Sequence, residues 1–251
     1  MVFVDWRSPA AYIYAKSLGK LGLAWEFLRR NPSYCRAFEA AAPDADIEPN
    51  GPARNCGLRF MADPDLDAED AAVFWRPEVS PAVIPLTSAP VAAETAVTPL
   101  ATWPGEIERR EAEDGLHVLV RDDAATHQLW LIEPVKRAAP LAAAIPMDET
   151  APHRTDAFGR FWRFLKHPSR RARTDKRRRL DRLIAALRVL DGRMAGASYR
   201  AIAEVLFGEA RVAAEPWKTA SIRDTVIRLA RTGFSLQRGG YRDLLRPRRV
   251  T

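Results

Sequence analysis

Polar and charged side chains recur at helical spacing toward the carboxyl end of the chain, and they are of types that bind nucleic acids. At 3.6 residues per turn, Ser221, Thr225 and Arg228 fall on one side of a helix, with Lys218 and Arg231 beside them. Hydroxyl and guanidinium groups can donate hydrogen bonds to base edges, and Lys and Arg also neutralise phosphates. We therefore predict that the first three residues contact base edges and that Lys218 and Arg231 contact phosphates.

The opposite side of the same segment is apolar, as docking onto other helices requires. Ile222, Val226, Leu229 and Ala230 cluster there, so the segment combines one face for packing with one face for a ligand. Arg223 falls on the flank, where it could contact the DNA backbone or pair with an acid. The alternative interpretation is an ordinary amphipathic helix at the protein surface.

Two further predicted helices precede this segment. A leucine-rich stripe over residues 180–190 predicts the first of them, which the pair Asp191-Gly192 closes. Ser198 is a candidate N-cap for the second helix, residues 199–207, and Gly208 fits the position after its last turn. We include Tyr199 and Arg200, at the start of this second helix, among the candidate DNA-binding residues.

The third predicted helix opens at Glu215-Pro216, runs to Thr232 and is closed by Gly233. Three helices with a glycine-marked break before the last one outline a helix-turn-helix. The connector GEARVAAEP, residues 208–216, is longer than the usual three or four residues of that motif. It could hold a strand or a wing, or it could tilt the third helix away from the groove.

Two basic runs lie before and after the three helices, KRRR at 176–179 and RPRR at 246–249. Such runs bind phosphates, although they also occur as solvated surface. We take Arg177, Arg178 and Arg179 of the first run as candidate phosphate contacts.

The rest of the chain predicts a mixture of helices and strands. Residues 5–41 have the pattern of two helical pieces that break around Gly22, with Ser8 as N-cap before Pro9, and residues 43–55 are rich in turn formers. Strand-like runs follow within residues 57–86, and His117–Arg121 and Thr126–Ile132 have the pattern of a hairpin. Residues 87–105 and 133–156 are typical of connectors, and 156–166 of a short amphipathic helix.

These elements predict an α+β protein in three parts. They are a helical segment at 1–48, a small β-rich region at 56–135 and a helical DNA-binding domain at 150–251. The length of 251 residues agrees with more than one small domain.

Charge is divided unevenly along the chain, whose net charge is +7. Residues 151–251 carry 25 Lys and Arg against 9 Asp and Glu, a net charge of +16, whereas residues 1–150 carry 14 against 23, a net charge of −9. A polypeptide of about a hundred residues at +16 attracts a polyanion, because phosphate neutralisation releases counterions. An Arg-rich composition also arises in GC-rich genomes, but the separation of the two signs favours double-stranded DNA as the partner.

Several other classes of protein are excluded by what the sequence lacks. No apolar run reaches the ~20 residues that cross a bilayer, and the opening MVFVDWRSP has no apolar stretch typical of a secretory signal. Cys35 and Cys56 are too few for a disulfide framework. We therefore expect a cytoplasmic protein that does not enter a membrane.

Catalytic and metal-binding patterns are also missing from the sequence. It contains no glycine-rich phosphate loop, no HExxH and no GxSxG. The four histidines, His117, His127, His153 and His167, are scattered and give no zinc spacing with the two cysteines. We therefore predict no catalytic residue, no metal and no cofactor, and a protein that is not an enzyme.

Two long stretches resemble a known family of bacterial transcription regulators. The stretch DGRMAGASYRAIAEVLFG…W…SIRDTVIRLARTGFSLQRGGYRDLLRP is similar to a variant helix-turn-helix domain. That domain occurs in the RovC activator of type VI secretion genes and in activators and antiactivators of integrative and conjugative elements. The opening DWRSPAAYIY…AWEFLRRNPSYCRAF resembles the regulator-like domain that accompanies it, and GLRF…DP…VFWRP is also similar to such proteins.

The resemblance implies a sequence-specific promoter-binding activator that acts as a homo-oligomer. It also implies RNA polymerase or an antiactivator protein as a partner, and it places the helix-turn-helix on residues 198–207 and 217–232. Some members of the family bind other regulators instead of DNA, so a protein-binding activator or antiactivator is the alternative function. A third hypothesis is that the acidic half masks the basic half until a partner arrives.

Overall fold

The computed structural model describes residues 4–41, 51–89, 102–121, 125–133, 140–167 and 177–246. Helices toward both termini and a five-stranded sheet between them confirm the predicted α+β class. The described residues divide into two compact units. The helical unit contains 4–36, 63–70 and 177–244, and the sheet unit contains 37–41, 51–62, 71–89, 102–121, 125–133, 140–167 and 245–246. The three predicted stretches 1–48, 56–135 and 150–251 stay a prediction about domains.

The sheet unit is built on five strands in the order β2-β3-β4-β1-β5. The strands are β1 (Val83–Ser88), β2 (Glu106–Ala112), β3 (Gly115–Arg121), β4 (Thr126–Leu131) and β5 (Leu141–Ala143). β1 runs parallel to β4, and the other neighbouring pairs are antiparallel. The predicted hairpin is confirmed as β3 and β4, although residues 122–124 of its turn lie outside the described residues.

Two parts of the strand prediction were wrong. Of the three strand-like runs in 57–86, only the last forms a strand of the sheet, and Leu58 and Trp75 form an isolated bridge. The Gln128 side chain explains this difference, because its amide bonds both the N–H and the C=O of Trp75, at 2.9 and 2.6 Å, as a neighbouring strand would. Strand β2 was missed because its sequence EIERREA has no alternation of apolar residues.

One long helix covers a face of the sheet. It is α4 (Ala151–Lys166), which begins earlier than the predicted residue 156 because Pro152 occupies its first turn. Phe161 and Phe164 from α4 pack with Val118, Val120 and neighbouring apolar residues of the sheet. The predicted connector 133–156 therefore contains both β5 and the start of α4, while residues 134–139 lie outside the described ranges.

The amino-terminal segment is helical, as predicted, but its break lies elsewhere. Single 3-10 turns at Pro9–Tyr12 and Tyr14–Lys16 precede α1 (Lys20–Leu28) and α2 (Pro32–Ala40), and Gly22 lies inside α1. Gly19 is the N-cap of α1, in an extended conformation. Within the predicted linker 43–55, Pro52–Asn55 form the short helix α3, and residues 42–50 lie outside the described residues, as do 90–101 of the predicted loop 87–105.

The carboxyl-terminal part contains the predicted helices with different limits. The elements are α5 (Arg177–Met194), α6 (Tyr199–Phe207), α7 (Glu209–Ala213), α8 (Ser221–Ser235), a π-helical turn (Leu236–Gly240) and α9 (Arg242–Leu245). Ser198 caps α6, since its hydroxyl accepts a hydrogen bond from the N–H of Ala201 at 3.1 Å, and Gly208 ends α6 with a φ of 91°. Both features confirm the sequence prediction.

Two glycines that were predicted to end helices lie inside them instead. Gly192 lies within α5 against Ile202, and Gly233 lies within α8 against the Ala186 carbonyl. A β-carbon at Gly233 would lie 2.7 Å from that carbonyl oxygen, so glycine there allows α5 and α8 to approach closely. The third helix also begins at Ser221 instead of Glu215-Pro216. Close packing therefore accounts for both glycines.

Candidate nucleic-acid interface

Helix α8 has one face in the core and one face in solvent, as the predicted DNA-reading helix requires. Val226, Leu229 and Ala230 are buried and Ile222 is half-buried. They pack with Trp6 and with apolar residues of α5, α6 and α7 in one cluster. The apolar side of α8 predicted from the sequence is therefore confirmed.

The opposite face of α8 carries the predicted contact residues. Ser221, Arg228 and Arg231 are exposed and Thr225 is half-buried. We call these four residues the outer face of α8. None of the four side chains is buried. The exposed Asp224 lies on the same side of α8 but pairs with Arg223, and among the described residues Arg228 and Arg231 have no acidic partner, so the face is available to a ligand.

Thr225 and Arg228 form a small hydrogen-bonded unit on this face. The Thr225 hydroxyl donates to the Ser221 carbonyl at 3.0 Å and accepts from Nη2 of Arg228 at 3.3 Å. Since the hydroxyl proton is already engaged, what Thr225 offers a base is mainly its methyl group. The geometry thus gives Thr225 a positioning effect on the Arg228 guanidinium.

The remaining sequence-predicted residues lie around α8 in different environments. Lys218 is exposed in the turn before α8, outside the helix in which the sequence prediction had placed it. Arg223 is half-buried and pairs with Asp224 at 3.4 Å, one of the two alternatives considered for it. On α6, Arg200 is exposed and pairs with Glu204 at 2.9 Å. The half-buried Tyr199 ring has its centre 4.5 Å from the Arg193 guanidinium carbon.

Three arginines of the predicted phosphate-binding set stand at the start of α5. Arg177, Arg178 and Arg179 form the first residues of α5, but their side chains lie outside the part of the chain that the structure describes, as does the rest of the run at residue 176. In the second basic run, Arg246 is exposed and residues 247–249 lie outside the described residues.

The surface around α8 carries an excess of positive charge. In the ranges covered by the structure, Lys218, Arg228, Arg231 and Arg238 form no ion pair, and Asp224 is paired with Arg223. Cations without a carboxylate partner in the described part of the chain are suited to phosphate oxygens.

The connector between α6 and α8 is helical and contains neither of the elements considered for it. Residues Glu209–Ala213 form α7, and Val212 is buried in the same apolar cluster as Val226 and Ile202. The connector is therefore lengthened by one turn of helix, and not by a wing or a strand.

A buried network of charges, which sequence reasoning missed, joins the amino-terminal segment to α5. Arg30 donates to both carboxylate oxygens of Asp191, at 2.6 and 2.9 Å, and to Glu26 at 2.5 Å. Tyr12 donates its hydroxyl to Asp191 at 2.6 Å. We call these four residues the clamp. The only local signal for it was the i, i+4 spacing of Glu26 and Arg30, because Asp191 lies far away in the sequence.

The clamp shifts the acid-base behaviour of its members. Burial alone would raise the pKa of Glu26, but the Arg30 and Arg29 guanidiniums hold that pKa below its usual range. Burial would also lower the pKa of Arg30, but the Asp191 and Glu26 carboxylates raise that pKa above its usual value. Burial and then the Asp191 carboxylate raise the pKa of Tyr12. At neutral pH, these three shifts keep Glu26 and Arg30 charged and keep Tyr12 protonated.

The same segment also binds the turn that follows α8. The buried Gln237 side chain donates to the Arg30 carbonyl at 2.6 Å, and the Asn31 side chain donates to the Gln237 carbonyl at 2.8 Å. The end of α1 therefore contacts both α5 and the turn after α8, which fixes the far end of the α8 region.

No membrane-spanning or metal-binding feature was found among the described residues. None of their helices is both long and apolar enough to cross a bilayer. No group of three or more His, Cys, Asp or Glu side chains within the described ranges could hold a metal ion.

Comparison with known protein families matches two parts of the chain. Residues 144–246 match a family model described as a T6SS transcription factor DNA-binding domain, under the name RovC. Residues 5–61 match a proteobacterial transcriptional regulator-like domain. A search of the curated proteins found no match.

Proposed function

We propose that this chain is a transcriptional activator that reads promoter DNA through α6 and α8, used as a variant helix-turn-helix. Its matches to a proteobacterial transcriptional regulator-like domain and to a T6SS transcription factor DNA-binding domain support a DNA-binding transcriptional regulator. The families support a protein that is not an enzyme. The observation that carries the proposal is the outer face of α8, which faces solvent and presents two arginines, Arg228 and Arg231, that form no ion pair with any residue the structure describes.

In this proposal α8 lies in the major groove, which is wide enough to admit a helix. Arg228 donates two hydrogen bonds to a guanine edge, and Ser221 and the Thr225 methyl group contact neighbouring bases. Lys218 and Arg231 bind phosphates on either side of the groove. Tyr199 and Arg200, at the start of α6, contact the DNA backbone, as the first helix of a helix-turn-helix does.

The proposed biological setting follows from the family resemblance. The genes controlled are those of type VI secretion or of the transfer of a conjugative element, and the regulator acts in the cytoplasm as a homo-oligomer without a cofactor. RNA polymerase or an antiactivator protein is the second partner.

The test is to recover genomic fragments bound by the full-length protein and to measure their affinity by fluorescence anisotropy over a range of salt concentrations. We expect a shared sequence in the recovered DNA, an affinity for it ~10³-fold or more above that for a scrambled duplex, and a steep fall of affinity with salt. A reporter gene behind the recovered fragment should be expressed more strongly when the protein is present.

Equal affinity for both duplexes would contradict the proposal. If Arg228→Ala abolished capture of a regulator protein but left DNA retention unchanged, the protein-binding alternative would replace it.

A further inference from the structure

A further exposed arginine, absent from the sequence-predicted set, lies beyond the end of α8. Arg231, Ser235 and Arg238 are exposed, whereas Gly233 and Gln237 between them are buried. These three exposed residues therefore share the side of the helix that faces away from the core. Arg238 follows Arg231 by seven residues, which corresponds to about 10 Å along a helix.

The Arg238 side chain is held without being neutralised. Its guanidinium carbon lies 5.6 Å from the centre of the Phe234 ring, a cation–π geometry. Within the described residues it forms no ion pair with an acid. The N–H donors of the Arg238 guanidinium therefore remain available to a ligand, and the contact with the Phe234 ring restricts the positions that the side chain can adopt.

The turn that carries Arg238 is fixed by the amino-terminal segment. The neighbouring Gln237 donates its side-chain amide to the Arg30 carbonyl, and its own carbonyl accepts from the Asn31 side chain. Gly239, with a φ of 131°, then ends the helical path. The backbone around Arg238 is thus held by the segment that also contributes to the clamp.

From these observations we infer that Arg238 is a phosphate-binding residue, and that Arg231 and Arg238 together grip one DNA strand beside the groove that α8 reads. The inference rests on the proposed function. A straight helix stays close to base edges over only part of its length, because the groove curves away, so a cation about 10 Å beyond Arg231 meets the backbone. Phosphates on one strand recur about every 3.4 Å along the axis, so the two arginines reach different phosphates.

The test compares the full-length protein with Arg238→Gln, Arg238→Lys and Arg109→Gln on the recovered duplex and on a scrambled duplex. Arg109 is the matched control, because it is an exposed arginine of β2 outside residues 144–246, the part of the chain that matches a DNA-binding domain. Arg238→Gln leaves one phosphate without its cation, so the slope of log affinity against log salt should fall by about 0.9, and affinity at about 0.15 M salt should fall about fivefold on both duplexes. Arg238→Lys should keep the slope, and Arg109→Gln should match the parent in both slope and affinity.

Three results would overturn the inference. One is a parent-like salt slope for Arg238→Gln, and another is a loss of affinity confined to the recovered sequence, which would indicate a base contact. A third is a loss of affinity in Arg238→Lys equal to that in Arg238→Gln. In each case the parent still binds its own sequence preferentially, so the proposed function stands; if the parent itself shows no preference for the recovered duplex, both fail.

Discussion

Among single residues, Thr225 is one whose hydrogen bonds change the base-contacting role predicted from its helical spacing. Helical spacing placed Thr225 among the base-contacting residues, and its place on the outer face agrees with that pattern. Its hydroxyl, however, is bonded to the Ser221 carbonyl and to Arg228. Helical spacing predicts which way the Thr225 side chain faces. It does not predict that the Arg228 guanidinium donates a hydrogen bond to the Thr225 hydroxyl oxygen.

The positioning effect of Thr225 can be measured with a pair of isosteric substitutions. Thr225→Val keeps the shape and removes the hydrogen bond to Arg228, so affinity for the recovered duplex should fall about two- to fivefold, from ~0.5–1 kcal/mol for one exposed hydrogen bond. Thr232→Val is the control, because the Thr232 hydroxyl bonds the Arg228 carbonyl and not its guanidinium. Equal decreases in affinity for the two variants would remove the positioning effect.

At the scale of elements, Gly233 is the residue that lets α8 dock. The sequence predicts that a helix ends at Gly233, because glycine commonly follows the last turn. No local sequence pattern indicates that the backbone of α5 lies against this position. Gly233→Ala should lower the free energy of unfolding by ~1–3 kcal/mol, because its new methyl group would overlap the Ala186 carbonyl.

Gly159 provides the matched control for this measurement. It lies in the middle of α4, and a β-carbon there would have nothing within 4 Å. Gly159→Ala should therefore raise stability by up to ~1 kcal/mol, since alanine is the better helix former. Urea denaturation followed by circular dichroism measures both variants, and a Gly233→Ala protein as stable as the parent would contradict the close approach of α5 and α8.

The clamp is a second contact between helices that local sequence patterns do not predict. Asp191→Asn removes a carboxylate that accepts two hydrogen bonds from the fully enclosed Arg30 side chain. Without Asp191, the buried Arg29 and Arg30 guanidiniums would share the single carboxylate of Glu26. A buried cation without its own carboxylate is costly, so we expect a decrease of ~3–5 kcal/mol in the free energy of unfolding.

Asp156→Asn is the exposed counterpart, since Asp156 pairs with Arg160 at the surface of α4. That substitution should change stability by less than ~1 kcal/mol. Similar urea midpoints for the Asp191 and Asp156 variants would show that the clamp contributes little.

At the scale of the whole molecule, the sequence predicted the α+β class, the β3–β4 hairpin, the cap of α6 and the apolar side of α8, because each has a local periodic or capping signal. It did not predict that the amino-terminal segment and the DNA-binding helices share one compact unit. Trp6 packs in the same apolar cluster as Val226 and Ile202, and contacts between residues so distant in sequence leave no periodic trace.

The shared unit has a consequence for truncated proteins. A fragment of residues 150–251 lacks Trp6 and also leaves Asp191 without Arg30 and Tyr12. Removal of a buried tryptophan alone costs ~3–5 kcal/mol, a large part of a typical domain's stability of about 5–15 kcal/mol.

The fragment should therefore show much weaker helical circular dichroism at about 37 °C than the same residues contribute in the full-length protein. A test of the masking hypothesis would remove the acidic half of the chain. Because that removal also takes away part of the apolar core around Trp6, the fold of the fragment has to be measured together with its DNA affinity. A fragment with a cooperative transition at the temperature of the parent would show that the first 149 residues contribute nothing to the fold of the helices.

Whether the outer face of α8 reads DNA sequence is decided by Arg228→Ala in the full-length protein. Anisotropy titrations on the recovered duplex and on a scrambled duplex give the ratio of the two affinities. We expect the affinity for the recovered duplex to fall ~5- to 150-fold, from ~1–3 kcal/mol for a bidentate base contact, with a much smaller change on the scrambled duplex. An unchanged ratio of the two affinities would contradict the account.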